Sequence, residues 1–157
     1  MKLHIKTFRG LTKTELYNIL RLRAEVFVVE QDCPCLDPDG EDPVAFHFWL
    51  SDGEKIAAYV RAFAPGVVCP EAKIGRVITA LPYRGQGLGA EIMRAASRYL
   101  ETVVGASQTL VEAQSYAQGF YEKCGFRRVS AKEFPIDNIP HVRMIRTRGD
   151  LPEGAKS

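Results

Sequence analysis

The sequence predicts an α/β domain, a mixed sheet of about seven strands flanked by about three helices. Three observations point to it. Leu3, Ile5 and Thr7 alternate with Lys2, His4 and Lys6, the period of two of a half-buried strand. Apolar residues recur at steps of three and four over two longer stretches, the spacing of helices that bury one face. Between and after these lie short β-type runs bounded by turn residues, giving the order β-α-β-β-β-α-β-α-β-β.

Each element has its own signal. After the first strand, Thr12 to Glu15 reads as a capping box, and Leu16, Ile19, Leu20, Arg23 and Phe27 carry a helix to about Val28. Two strands, 45–50 and 55–63, flank Ser51-Asp52-Gly53-Glu54, whose chemistry suits a hairpin. A fourth strand, 73–80, runs into a glycine-rich turn that opens a helix over 88–104, with Leu88, Ile92, Ala95, Ala96, Tyr99 and Val103 on one face and Gly105 as its stop. A fifth strand at 108–113, a short helix at 116–123 stopped by Gly125, and strands at 127–134 and 142–147 complete the order.

The 157 residues, 46% hydrophobic and 25% charged, suit one domain over 1–148, with 149–157 expected to be a flexible tail. No apolar run approaches the ~18 residues of a membrane helix, and the first ten residues have no apolar stretch of the secretory type. The expectation is a cytoplasmic protein. Twenty-one basic against nineteen acidic side chains, net +2, argue for neither nucleic-acid nor membrane partners.

Charge is unevenly placed. Glu30, Asp32, Asp37, Asp39, Glu41 and Asp42 fall in one stretch without Lys or Arg. It reads either as a polar loop beside something cationic or as a solvated surface; it fails as a calcium loop, since aligning Gly40 at the sixth position puts Cys35 first and Phe46 twelfth. Cys33-x-Cys35 is one residue short of a zinc knuckle, and Cys69 and Cys124 supply no second close pair, so four unpaired thiols and no metal are expected.

Arg84-Gly85-Gln86-Gly87-Leu88-Gly89-Ala90 between a strand and a helix is the most informative segment. Its glycines let the backbone turn tightly and approach a ligand, and the helix start offers unpaired N–H groups to a diphosphate. Gly85-x-Gly87-x-x-Ala90 also fits the dinucleotide fingerprint, with Glu112 ending the next strand, so a small NAD(P)-dependent oxidoreductase is an alternative. Against it, four strands, two of them a hairpin, precede the loop. A Walker loop is excluded, because no Gly-Lys-Ser or Gly-Lys-Thr follows.

Arg84-x-x-Gly87-x-Gly89, following a strand with Arg76-Val77-Ile78-Thr79, resembles the acetyl-coenzyme A loop of the GNAT superfamily of N-acetyltransferases. Gln114-x-x-Ala117-x-x-Phe120-Tyr121-Glu122-Lys123-x-Gly125-Phe126 resembles its second signature, with Gln114 where many relatives have Asn. The segment from Val26 to Pro34, together with Gly75-Arg76-Val77 and Ile139-Pro140-His141-x-x-Met144, is similar to the ElaA-like branch. The resemblance spans about residues 3–147.

The resemblance implies a sheet splayed between its fourth and fifth strands, with acetyl-CoA in the opening. Its pantetheine arm would pair with Val77, Ile78 and Thr79, and its diphosphate would sit on the amides of Gly85, Gln86, Gly87, Leu88, Gly89 and Ala90, with Gln114 as a further contact and Arg84 either touching phosphate or capping the loop. It implies acetyl transfer to a primary amine of a small molecule or peptide by direct attack in a ternary complex, without a metal. Tyr121 fills the acid role toward the coenzyme sulfur. For the base, His141 is preferred because it falls in a terminal hairpin bordering the substrate mouth, with Glu30, His47 and Glu112 as alternatives. Cys124 is read as packing rather than nucleophile. Carboxylates of the acidic stretch, if they line the mouth, would favour a cationic acceptor. A coenzyme-sensing module without catalysis is the other alternative, and the terminal strands offer a surface for homodimers.

Overall fold

The structure, a computed structural model, describes residues 1–149; the expected tail lies outside them from residue 150 onward. β1 (Lys2–Thr7) leads to α1 (Lys13–Arg23), whose start is closed by the expected capping box: the Glu15 amide donates to Thr12 Oγ1 (3.1 Å), and the Thr12 amide donates to Glu15 Oε1 (2.9 Å). The helix continues in wider π-type turns over Ala24–Glu30, two residues past the predicted end. β2 (Phe46–Asp52) and β3 (Lys55–Phe63) form the hairpin, β4 (Ala72–Thr79) enters the glycine turn, and α2 (Leu88–Tyr99) follows, widening over Leu100–Val104 before Gly105, at φ +84°, ends it.

β5 (Gln108–Gln114) and α3 (Gln118–Lys123) agree with expectation. The predicted strand at 127–134 is two strands, β6 (Arg127–Arg128) and β7 (Phe134–Ile136), and β8 (Ile139–Thr147) begins three residues before its predicted start. The sheet therefore has eight strands rather than about seven. The reason is local: Asp137 and Asn138, at φ +49° and +63°, make a two-residue turn that pairs Ile136 with Ile139.

The sheet order is β1-β2-β3-β4-β5-β8-β6, with β7 on β8. All neighbours are antiparallel except β4 and β5, which run parallel and pair only at Ala72 with Thr109 and Lys73 with Leu110. Beyond Lys73 the two strands separate. β4 also carries an irregularity opposite β3, where Arg76 takes φ +52° and the register shifts between Tyr59 and Arg61.

Alternation along the central strands feeds two cores. Phe48, Leu50, Ala58 and Val60 pack with Ile92, Met93, Ala96 and Leu100 of the α2 segment, while Trp49 and Tyr59 join Ile19 and Ile78, backed by Leu22, Val26 and Phe27 of the α1 segment. One helix thus covers each face of the sheet, and the region where β4 and β5 part is left open.

Candidate functional site

The parting of β4 and β5 opens a cleft of about 890 Å³. Lys73 Nζ donates to Glu112 Oε1 (2.8 Å) across its inner end, and both side chains are mostly buried. From Ile74 to Thr79 the side of β4 facing β5 has no strand partner, so its backbone groups form an available edge. Val77, Ile78, Thr79, Arg84, Gly89, Gln114 and Tyr121 from the predicted coenzyme set line this one cleft, as do His141, Glu30 and Glu112. Gly85, Gln86 and Gly87 are exposed just outside it, Ala90 is half-buried, and the Leu88 side chain belongs to the core.

The glycine turn has the geometry its sequence suggests. Gly85 and Gly87 sit at φ +83° and +77°, where only glycine avoids strain, and Gly87 is the residue from which α2 starts. No side chain caps that start, so the first N–H groups of α2 are available to an anion. Gly89 is required for another reason: a Cβ there would lie 3.1 Å from Thr79 Oγ1 and 3.4 Å from Phe120 Cζ. The loop is pressed against the end of β4 and against α3, and these residues fit a diphosphate at the loop and an extended arm along β4.

Arg84 is committed within the protein. Its Nε donates to the Thr79 carbonyl (2.9 Å), and Nη1 and Nη2 donate to the Glu30 carboxylate at 2.5 and 2.8 Å. Those hydrogen bonds from Arg84 hold the Glu30 carboxyl below its ordinary pKa.

Tyr121 reaches the cleft from α3. Its ring packs edge-on against Phe120 and Phe126, with centroids 5.1 and 6.1 Å away. Burial pushes its phenol pKa up, helped by Cys124 and Tyr116 nearby, and its hydroxyl has no hydrogen-bond partner among the described residues. It is a neutral O–H with a free donor. Cys124 does not line the cleft, and burial pushes its thiol up to about 11, as suits packing rather than attack.

The candidate bases separate in space. His141, 7% exposed, pairs with Gln114 in the β5–β8 register; its Nδ1–H donates to the Ile139 carbonyl (2.7 Å), which leaves Nε2 as the acceptor nitrogen. His47 lies outside the cleft lining and is fully buried, because it falls on an inward-facing position of β2. Its Nε2–H donates to the Asp42 carbonyl (3.0 Å) and its Nδ1 accepts from the Tyr59 hydroxyl (2.7 Å), so both ring nitrogens are in use. Burial lowers its pKa. Glu112 is held by Lys73, and Gln114 Nε2 donates to Gln31 Oε1 at 3.4 Å, joining the end of β5 to the segment after α1.

The acidic stretch is a polar loop whose cationic partners belong to the protein itself. Arg23, with no exposed surface, donates to Asp37 Oδ2 (2.8 Å) and Asp42 Oδ1 (2.6 Å). Arg61 donates to both oxygens of Asp39 (2.8 Å each) and to Asp42 Oδ1 (3.1 Å), and Arg76 Nε donates to Asp37 Oδ1 (2.8 Å). Burial pushes the Asp39 and Asp42 carboxyls up, but hydrogen bonds from Arg61 and Arg23 outweigh it and hold both below the usual range. The network fastens the loop to α1, β3 and the bend in β4. Sequence spacing could not reveal it, since each arginine sits in a different element.

Residues 38–148 match the acetyltransferase (GNAT) domain family. The chain is 38% identical over 143 residues to a UPF0039 protein of Mycobacterium bovis, covering 88% of each chain. It is 35% identical over 141 residues to the protein ElaA of Escherichia coli, covering 87% of this chain and 90% of ElaA, and the ElaA crystal structure superposes with a TM-score of 0.84 over 93% of this chain and 99% of ElaA. The crystal structure of an acyl-CoA N-acyltransferase from Pseudomonas aeruginosa, 34% identical, gives a TM-score of 0.87 over 94% of this chain and all of that one. With the splayed sheet and the glycine turn in place, these similarities show that the chain belongs to the GNAT acetyltransferase family and has ElaA among its relatives.

Proposed function

We propose that the chain transfers the acetyl group of acetyl-CoA to a primary amine of a cationic acceptor by direct attack in a ternary complex. The observation that carries this reading is the convergence, on one cleft, of the unpaired β4 edge, the uncapped start of α2 and the free phenol of Tyr121. Acetyl-CoA supplies an activated thioester carbonyl and a thiolate leaving group. The Val77–Thr79 backbone holds the pantetheine arm, and the amides of Gly85 through Ala90 hold the diphosphate.

The acceptor nitrogen arrives as an ammonium and sheds two protons as its bond to the acetyl carbon forms and the carbon–sulfur bond breaks. His141 Nε2 takes one to solvent. The other balances the proton that the Tyr121 hydroxyl gives to sulfur, after which the phenol is restored. Glu30 is the weaker candidate base, because Arg84 occupies both of its oxygens.

Among the residues lining the cleft, six carboxylates stand against four cations, so internal ion pairing leaves an acidic excess facing an acceptor. Glu41 and Asp137 supply it, since Glu41 reaches Arg61 only at 3.6 Å and Asp137 has no ion-pair partner among the described residues. Free-thiol release from acetyl-CoA with polyamines, lysyl peptides and acidic amino acids tests the reading. Faster turnover with the cationic amines supports it, and preference for acidic acceptors contradicts it.

A further inference from the structure

We propose that Cys33, Cys35 and Asp137 bind a single thiol-preferring divalent ion of the zinc type at the rim of the cleft. The two sulfurs and a carboxylate oxygen lie within 4.8 Å of one another, and all three residues line the cleft. A tetrahedral ion with bonds of ~2.0–2.3 Å keeps its ligand atoms roughly 3.4–3.8 Å apart. Rotation of these partly exposed side chains by about an ångström therefore closes the site. Two thiolates with one carboxylate are a donor set for zinc, whereas magnesium and calcium take oxygen ligands.

The backbone on both sides is defined. Asp32 turns the chain at φ +49°, and the Cys33 amide donates to the Val28 carbonyl (3.0 Å), which fixes the first cysteine to the end of the wide helical turns. Asp137 sits in the two-residue turn between β7 and β8, whose flanking residues Ile136 and Ile139 are paired. The third ligand thus comes from about a hundred residues further along the chain. The Cys-x-Cys spacing, one residue short of a knuckle, gives no hint of it.

Three protein ligands leave one tetrahedral position for water or an acceptor atom. Binding releases the two thiol protons, so the site carries the same net charge with the ion as without it. The ion would cross-link the segment after α1 to the β7–β8 turn, two borders of the cleft otherwise joined by no ion pair among the described residues. This inference does not depend on acetyl transfer.

The test uses the full chain, reduced and freed of metal by a chelator, and titrated with Co²⁺ and then Zn²⁺. Thiolate-to-cobalt charge-transfer absorption should saturate at one ion per chain and be bleached by an equivalent of Zn²⁺. Cys33→Ser and Cys35→Ser should each weaken Zn²⁺ binding at least about a hundredfold, beyond the ~10–100-fold that losing an outer-shell partner costs. Asp137→Asn should weaken it about tenfold or more; Asn tolerates the positive φ, so an unchanged melting temperature without metal shows that the turn persists. Cys69→Ser should leave binding unchanged. Absence of charge-transfer absorption at stoichiometric Co²⁺, or binding undiminished in Asp137→Asn, overturns the proposal.

Discussion

Lys73 and Glu112 are joined at 2.8 Å across the point where β4 and β5 cease to pair. Lys73 is itself the last residue of β4 paired with β5, opposite Leu110, and Glu112 is two residues further along β5. The ion pair therefore ties the two strands at the base of the cleft, and everything beyond it is free to diverge.

Replacing Lys73→Met keeps the stem of the side chain and leaves the mostly buried Glu112 without its partner. A loss of about 1 kcal/mol is expected, a fall of roughly 2–4 °C in melting temperature for a domain of this size. Weaker acetyl-CoA binding should accompany it, read by calorimetry. An unchanged melting temperature would show that the pair does not hold the cleft base.

Tyr121→Phe removes one hydroxyl and keeps the ring contacts to Phe120 and Phe126. Turnover should fall about a hundredfold or more, with coenzyme affinity and melting temperature nearly unchanged. Equal losses in turnover and affinity would make this residue a binding contact rather than an acid.

The glycine turn offers two substitutions with different physics. At Gly87 an added methyl meets nothing within 4 Å but must accept φ +77°, so Gly87→Ala should cost about 1–2 kcal/mol through backbone strain. At Gly89 the backbone is ordinary and the added methyl meets Thr79 and Phe120, so Gly89→Ala should shift the loop and weaken acetyl-CoA binding more than it lowers stability. Thermal melts and calorimetry on both variants separate the two effects.

Stability should decline on acidification in two stages. His47 is held below its ordinary pKa by burial, so the unfolded chain takes up a proton first, and its contribution is complete above about pH 6.5 and declines below it. Asp39 and Asp42 are also held low when folded, so their contribution is present above about pH 4 and lost as pH falls further. His4 shifts the same way as His47, so His47→Gln should shrink the first decline without erasing it. Asp42→Asn strips Arg23 and Arg61 of a shared partner and should cost about 3–5 kcal/mol at neutral pH. A melting temperature that rises between pH 7 and pH 5 would contradict the His47 assignment.

Much of this architecture is legible in the chain because it rests on local rules. The capping box at Thr12 and the glycines at 85 and 87 each state a local requirement that the structure meets, and the apolar face of 88–104 holds as far as Tyr99, where the wider turns over Leu100–Val104 bury Leu100 and turn Val103 out to the surface. The β6–β7 break was not legible, because exposed Arg127 and Arg128 show no alternation, although Asp137-Asn138 is a turn pair that could have signalled it. Alternation placed His47 on a strand but not on a face. The acidic run disclosed its charge and not its partners, since Arg23, Arg61 and Arg76 meet it only in the folded sheet. Non-local pairing also separated Cys33 and Cys35 from Asp137.

A crystal structure of the chain with coenzyme A tests the central claim most directly. It should place the diphosphate on the amides of residues 85–90, the pantetheine arm beside Val77–Thr79, and the sulfur within hydrogen-bonding distance of the Tyr121 hydroxyl. Coenzyme density outside the β4–β5 cleft, or a sulfur remote from Tyr121, would contradict it.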